Sequence, residues 1–501
     1  MLLSSLHATS FIRLLAGFRR RAPAVQLALS VSLGQILLWF VGTEIWATLS
    51  VLFLGLLLNI RALRGYSWLF GGVLVGVLSA YILTNSFLAS EPLVGELSIF
   101  GVVADTPRHP RPGEVTFELR ATGEARDLKL IRCRAVELPW RNAAYLKPGD
   151  AVWISGVFSP VAKPLNPFSW QGWLWRRGIT SECKARFVSL PAYQQTPFLY
   201  DLREKLREWV FNKIGESQGS ALILSMALGY HDILSVPLEK AFTRLGLTHL
   251  LVVSGYQVSL MFGFILFCFA RLIGFVRSGG HYLRSLMTLA AFGFASLYVL
   301  FIGAEMSAIR AILAAACASA HLLSERETSF SQRWGVALLG MQLIWPWCVF
   351  DIGVALTFAA LFGIGLGADI GHSSKRSQFV WVTFVVWLCT GAIILGWQGT
   401  ISPLGLLLNL ILAAPWSIIN CTAGLCALCL GLIHTPGALY LLKGIAWLNE
   451  ILGEVVLYLG ESRLGGWQFE GLSKVCATAA VIIALALVSR AGFVTVRVRS
   501  G

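Results

Sequence analysis

The stretch from Ala241 to Phe264 sets polar residues at the mouth of an apolar run: His249 first, then Ser254, Gly255 and Gln257. A serine beside a histidine suggests nucleophilic hydrolysis, but that chemistry also needs an orienting acid and an oxyanion site. His249 and Ser254 are five residues apart, so a helix does not set them neatly on one face. A polar lining suits them better. Polar groups are costly in a membrane segment and face a bundle interior or a wet cavity. Gly255 permits a helix break or a close approach there, with the released backbone groups turned to water. Small-residue packing is the plain alternative.

Three further places carry polar or charged groups in apolar surroundings. Glu305, Ser307 and Arg310 open one apolar segment. Glu305 and Arg310 face each other poorly at a spacing of five, so Arg310 needs another partner or a wet cavity. Phosphate contact is one use for it; pairing with Asp351 or Glu305 is the other. Asp351 follows Trp345-Pro-Trp-Cys-Val-Phe and is placed to cap the next helix. Asn409 and Pro415 mark either a broken helix of the kind that borders a substrate path or a simple proline kink. No G-x-x-x-x-G-K-[ST] loop is present, and the histidines form no His-x-His or His-Glu-x-x-His pair. The sequence gives no sign of a nucleotide motor, a hydrolytic metal centre or a cofactor.

The elements that position these residues are mostly membrane helices. The chain is 56% hydrophobic and 13% charged, well below the charge of a soluble domain. The net charge of +14 fits cytoplasmic anchors as well as a polyanionic ligand. Spans are expected at 24–42, 44–60 and 67–90, then near 249–275, 285–303, 306–323, 334–349, 350–368, 378–397, 404–431 and 474–489, about eleven in all. Arg19 to Arg21 precede the first span and Arg61 and Arg64 follow the second, which places both stretches in the cytoplasm and residues 91–200 outside it. Residues 404–431 cross once or enter and return. Residues 436–460 look amphipathic, as do 199–215 with Leu202, Leu206, Val210 and Ile214 on one face. The predicted domains are a three-helix segment (1–90), an extracytoplasmic β domain (91–200), a helical membrane domain (201–489) and a short basic tail (490–501).

In residues 91–200, alternating segments at 96–105, 114–123, 128–138, 150–161 and 180–190 predict five strands. That suits a small OB-type barrel, with a sandwich as the competitor. Trp140, Trp153, Trp170, Trp173 and Trp175 supply aromatic surface beside a mild basic excess. Such surface stacks bases in single-strand binders, and tryptophan also collects at bilayer interfaces. Cys133 and Cys183, each on a predicted strand, form a disulfide outside the cytoplasm or remain two buried thiols. Cys426 and Cys429 have C-x-x-C spacing without a second ligand pair and are expected to pack.

The Ala241–Phe264 stretch resembles the signature of the ComEC family, the inner-membrane DNA channels of bacterial transformation. Asn166-Pro167 through Gly178-Ile179, Ser220 to His231, Ser307-x-x-Arg310-Ala311, Trp345-Pro346 through Asp351-Ile-Gly353, and Asn409 to Pro415 resemble further family segments in the family's order. The resemblance implies an OB-like soluble region and a helical domain that passes single-stranded DNA inward. It makes His249, Ser254, Gly255, Gln257, Arg310, Asp351 and Asn409 candidates for that path. It also implies a bacterial plasma membrane location and, as partners, the lipid bilayer, a DNA receptor, a separate nuclease and a cytoplasmic translocase. Two departures stand out. Gln257 replaces the family's usual histidine, and no metallo-β-lactamase-like segment follows the last span. The rival functions are a small-solute or lipid-intermediate transporter and a membrane-surface enzyme, the latter lacking clustered acid and base residues.

Overall fold

The computed structural model describes residues 23–41, 67–88, 92–111, 113–122, 130–136, 146–189, 198–230, 233–251, 255–274, 281–303, 306–324, 330–369, 374–425, 436–462 and 465–484. The expected span at 44–60, the Cys426/Cys429 pair and the basic tail lie outside these residues. The chain divides into two compact units. One comprises Leu29–Lys205 and Gln342–Asp351; the other comprises Met1–Ala28, Leu206–Met341 and Ile352–Gly501.

The first unit holds most of α1 (Pro23–Val41), α2 (Ser67–Leu88) and a β-barrel. Gly34 lies against the Val73 carbonyl and Gly76 against that of Val31, so the two helices meet at backbone distance. The barrel strands are β1 (Gly95–Val103), β2 (Arg108–Arg111), β3 (Glu114–Ala121), β4 (Leu130–Val136), β5 (Ala151–Pro160) and β6 (Ile179–Val188). Their order is β1-β5-β6-β4-β3-β2, and β1 also pairs with β3. Five strands therefore close on themselves, which selects a barrel over a sandwich; short β2 hangs on β3 and was not legible as a strand. Only β4 and β6 run parallel. Alternation makes the core: Val152, Ile154 and Phe158 are buried on β5 while Trp153 points out.

Cys133 and Cys183 are register partners across the parallel pair, both buried and both thiols in this structure. Burial, reinforced by Cys183, pushes the Cys133 thiol well above its ordinary value.

Between β5 and β6 lies α3 (Trp170–Arg176), capped by Ser169, whose Oγ accepts from the Gly172 N–H at 3.0 Å. This helix sends its tryptophans to different fates. Trp175 is buried edge-on to Trp39 of α1 at 5.0 Å, and Trp39 also meets Trp347 at 5.2 Å. Trp347 belongs to a 3₁₀ turn, Pro346–Phe350. Lys163 Nζ sits 5.1 Å above the Trp39 ring, and desolvation lowers its pKa. Trp173 stacks on Trp170 at 4.9 Å, with the Arg177 guanidinium 4.9 Å from its ring and Arg132 close to both indoles.

The second unit is helical. Most of α4 (Phe198–Ile214) belongs to it, with Leu206 and Val210 buried. Then come α5 (Gln218–Leu228), α6 (Val236–Arg244), one-turn α7 (Thr248–Leu251), α8 (Gly255–Gly274), α9 (His281–Phe301), α10 (Met306–Ser324) and α11 (Phe330–Ile344). After the 3₁₀ turn follow α12 (Ile352–Asp369), α13 (Lys375–Gln398), α14 (from Pro403), α15 (Pro436–Glu461) and α16 (Gly471–Ala484). By length and composition α13 and the Pro403–Cys421 stretch of α14 are each sufficient to cross a bilayer.

Two helices settle into forms that the apolar runs left open or read as amphipathic. Helix α14 is continuous over 403–425, so no return occurs within the described residues. Its turns widen to π geometry at Asn409–Ala413 and Ile418–Ala423, on either side of Pro415. A wider turn accommodates the missing N–H and bulky ring of a proline. Helix α15 carries three stripes. Leu442, Ile445, Asn449, Gly453 and Val456 are buried; Lys443, Glu450, Glu454 and Glu461 form a charged edge; Tyr440, Trp447 and Tyr458 are exposed.

Candidate membrane cavity

The site begins with a break in a helix. Sequence patterning expects one span from 249; instead His249 lies on α7, and the long helix starts at Gly255. Ser254 falls outside the described residues. A break releases carbonyls that water cannot reach, and side chains take them over here. Gln257 Nε2 donates to the Leu250 carbonyl at 3.2 Å, and Ser225 Oγ donates to that of Leu251 at 2.9 Å. Gln257 is thus buried as a clamp on the break, and Gly255 is where the new helix starts.

Beside this break is a cavity of about 610 Å³, walled by α6, α7, α8, α10, α11, α12, α13 and α14. His249, Arg310 and Asn409 line it together. They come from α7, α10 and the first π turn of α14. Asn409 Nδ2 donates to the Gly405 carbonyl at 2.8 Å, which fixes its amide on the wall. Gly405 itself lies tight against the Leu245 carbonyl, and its N–H caps onto Ser402 Oγ at 2.9 Å. Trp387 of α13 donates to the Ser402 carbonyl at 3.3 Å, tying this corner to the opposite wall.

That opposite wall is set by two glycines. Gly363 and Gly367 are four apart on α12, hence on one face, and meet Val386 and Val382 of α13. The close pairing brings Thr357, Thr383 and Thr390 to the lining. Each hydroxyl donates to the carbonyl four residues back, at 2.8 to 2.9 Å. Their oxygens remain as acceptors towards the cavity.

Other sequence candidates lie elsewhere. Asp351 belongs to the barrel unit, at the end of the 3₁₀ turn, where its N–H donates to the Cys348 carbonyl at 3.0 Å. It lies near Arg176: burial lowers that guanidinium's pKa, and the Asp351 carboxylate opposes the shift. Glu305 is outside the described residues. Sequence reading missed Arg244, in the last turn of α6, and the threonines, all of them on the lining. Arg244 stands five residues before His249 in the stretch already suspected, which was the available signal. It also missed a buried amide knot behind the cavity. Asn449 Oδ1 accepts from Trp416 Nε1 at 2.7 Å and from Asn420 Nδ2 at 3.1 Å, while Asn449 Nδ2 donates to Asn420 Oδ1 at 2.7 Å.

Long apolar helices around a cavity with polar and cationic lining define a helical membrane protein. A family model described as "Competence protein" matches residues 226–492, just over half of the chain and all of the cavity wall. The chain therefore belongs to the competence protein family, of the ComEC type, whose role is DNA uptake in transformation. Neither a curated protein nor a solved structure matches it.

Proposed function

We propose that this protein guides a single strand of DNA across the bacterial plasma membrane during natural transformation, with the cavity as part of the path. The observation that carries this is the convergence of His249, Arg310 and Asn409, from three helices, on one cavity. The protein's part is guidance rather than bond-making. Arginine meets phosphate, amide and hydroxyl groups replace water, and apolar walls exclude lipid. Asp351 and Gln257 act at one remove, in the barrel unit and at the helix break. We read the helices as a multi-pass bundle of about eleven spans. A DNA receptor, a separate nuclease and a cytoplasmic translocase would be its partners.

The barrel fits an OB-type reading. With β2 set aside, the five strands close in the order 1-2-3-5-4 with one parallel pair, a Greek-key closure. Trp153 and Trp170 keep 54% and 52% of their surface exposed, so these two can meet a base; buried Trp175 cannot. We also propose that Cys133 and Cys183 bridge when the barrel lies outside the cytoplasm. Neighbouring strands are about 4.8 Å apart, within the span of about 4.4–6.8 Å that a disulfide bridges.

Uptake of labelled DNA by the native host, with and without this gene, tests the proposal. Loss of internalised DNA with surface binding intact supports a conduit. Unchanged uptake in a transformable host refutes it and turns attention to small-solute transport.

A further inference from the structure

Arg244 ends α6, a helix whose Leu238, Ala241 and Phe242 face the core while Glu239, Lys240, Thr243 and Arg244 face away from it. Thr243 and Arg244 both line the cavity. A cation in the last turn is favoured by the helix dipole, which explains why the helix tolerates it there. The cavity explains less easily why it stays. Arg310 enters the same lining from α10, and among the described residues the lining holds no aspartate, glutamate or lysine. Arg244 makes no ion pair among the described residues.

Arg244 in that lining, with no ion-pair partner among the described residues, presents a cationic surface to the cavity. Such surfaces concentrate anions, and rings of one sign set the selectivity of pores. The barrel shows how this chain treats an arginine it means to neutralise. Arg134 holds Glu114 at 2.7 Å, and Arg177 reaches Glu118 at 3.4 Å. Among the described residues Arg244 has no such neighbour.

We propose that Arg244 makes this cavity anion-selective and is a specificity-determining residue for phosphate-bearing cargo. The inference rests on the conduit reading. The guanidinium offers a planar fork to phosphate oxygens, the threonine hydroxyls offer secondary contacts, and a neutral or cationic solute would gain nothing from Arg244.

The test uses the full chain, reconstituted in planar bilayers under a potassium chloride gradient, where the reversal potential reads anion against cation permeability. Wild type should favour chloride. Arg244→Glu should lower the anion-to-cation ratio by about tenfold or more, the low end of charge focusing in a cleft, and Arg244→Lys should keep it. The same variants should rank alike in DNA uptake, with Arg244→Gln below Arg244→Lys at equal protein level. Conductance with a ratio unmoved by Arg244→Glu, in protein that elutes like wild type, overturns this inference and leaves the conduit standing. A folded wild type that passes no ions overturns the conduit reading and this inference with it.

Discussion

The barrel and the cavity use the same residue, arginine, in opposite ways. On the barrel's outer face Glu118 and Arg132 are register partners on β3 and β4, with Arg177 also reaching Glu118 and Trp173 lying between. Glu118, Arg132 and Arg177 each have a neighbour of opposite sign, and both arginines an aromatic face as well. On the cavity wall Arg244 stands among threonines and aliphatic side chains, with no acidic residue in the lining among the described residues. Paired charges hold a surface shut, because water and ligand both compete for what is already satisfied. A charge left facing a cavity is available. The contrast separates a surface built for stability from one built for passage.

The strongest way to sharpen it is to remove packing from the closed side. Trp347→Ala empties the cluster around Trp39, Trp175 and Phe350 and should cost about 3–5 kcal/mol, as large aromatic truncations do. Thermal unfolding in detergent would show it as a large drop in midpoint. Next comes a closed polar network in the helical unit. Asn449→Ala strips partners from Trp416 and Asn420, and each buried polar group left unpaired costs about 1–3 kcal/mol. If it unfolds the protein no more than a surface substitution does, the knot is not buried as described. Arg244→Gln inverts the pattern: stability should hold while DNA internalisation falls. A lost hydrogen bond to a charged group is worth about 1.5–3 kcal/mol, which is about 10- to 100-fold in uptake. Equal loss of stability and uptake would place Arg244 with the closed charges and break the comparison.

How much of this was legible beforehand differs between the two units for a physical reason. Barrel strands declare themselves locally, because alternation in Val152, Trp153 and Ile154 already reports inside and outside. The fates of the tryptophans do not. Trp170, Trp173 and Trp175 look alike in sequence, yet one is half exposed, one stacked and one buried, since Trp39 and Trp347 come from far along the chain. The cavity shows the same limit. His249, Arg310 and Asn409 stood out as polar groups in apolar runs. Thr357, Thr383 and Thr390 did not, because a threonine on an apolar helix is unremarkable until Gly363 and Gly367 bring two helices together. Gly255 did mark a possible break, but the pattern could not show that Ser225 and Gln257 take over the released carbonyls.

The smallest expected effect bears on the barrel's charges themselves. Burial lifts the Glu118 carboxyl above its ordinary 4.5, and its arginines only partly oppose this. The folded barrel therefore holds the Glu118 proton more tightly than the unfolded chain does, so stability linked to this group grows as pH falls. The gain starts as pH drops through the raised folded value and is complete below 4.5, where both states are protonated. Glu118→Gln cannot titrate and should flatten that part of the pH profile of the unfolding midpoint. At neutral pH it trades two arginine contacts for relief from burying a charge, so its net effect there should be slight. A profile that keeps its slope in Glu118→Gln would mean that another carboxylate carries the linkage. An unchanged slope together with a large neutral-pH loss would mean that the arginines outweigh burial after all. In that case the outer face of the barrel is an ion-pair surface first and an aromatic one second.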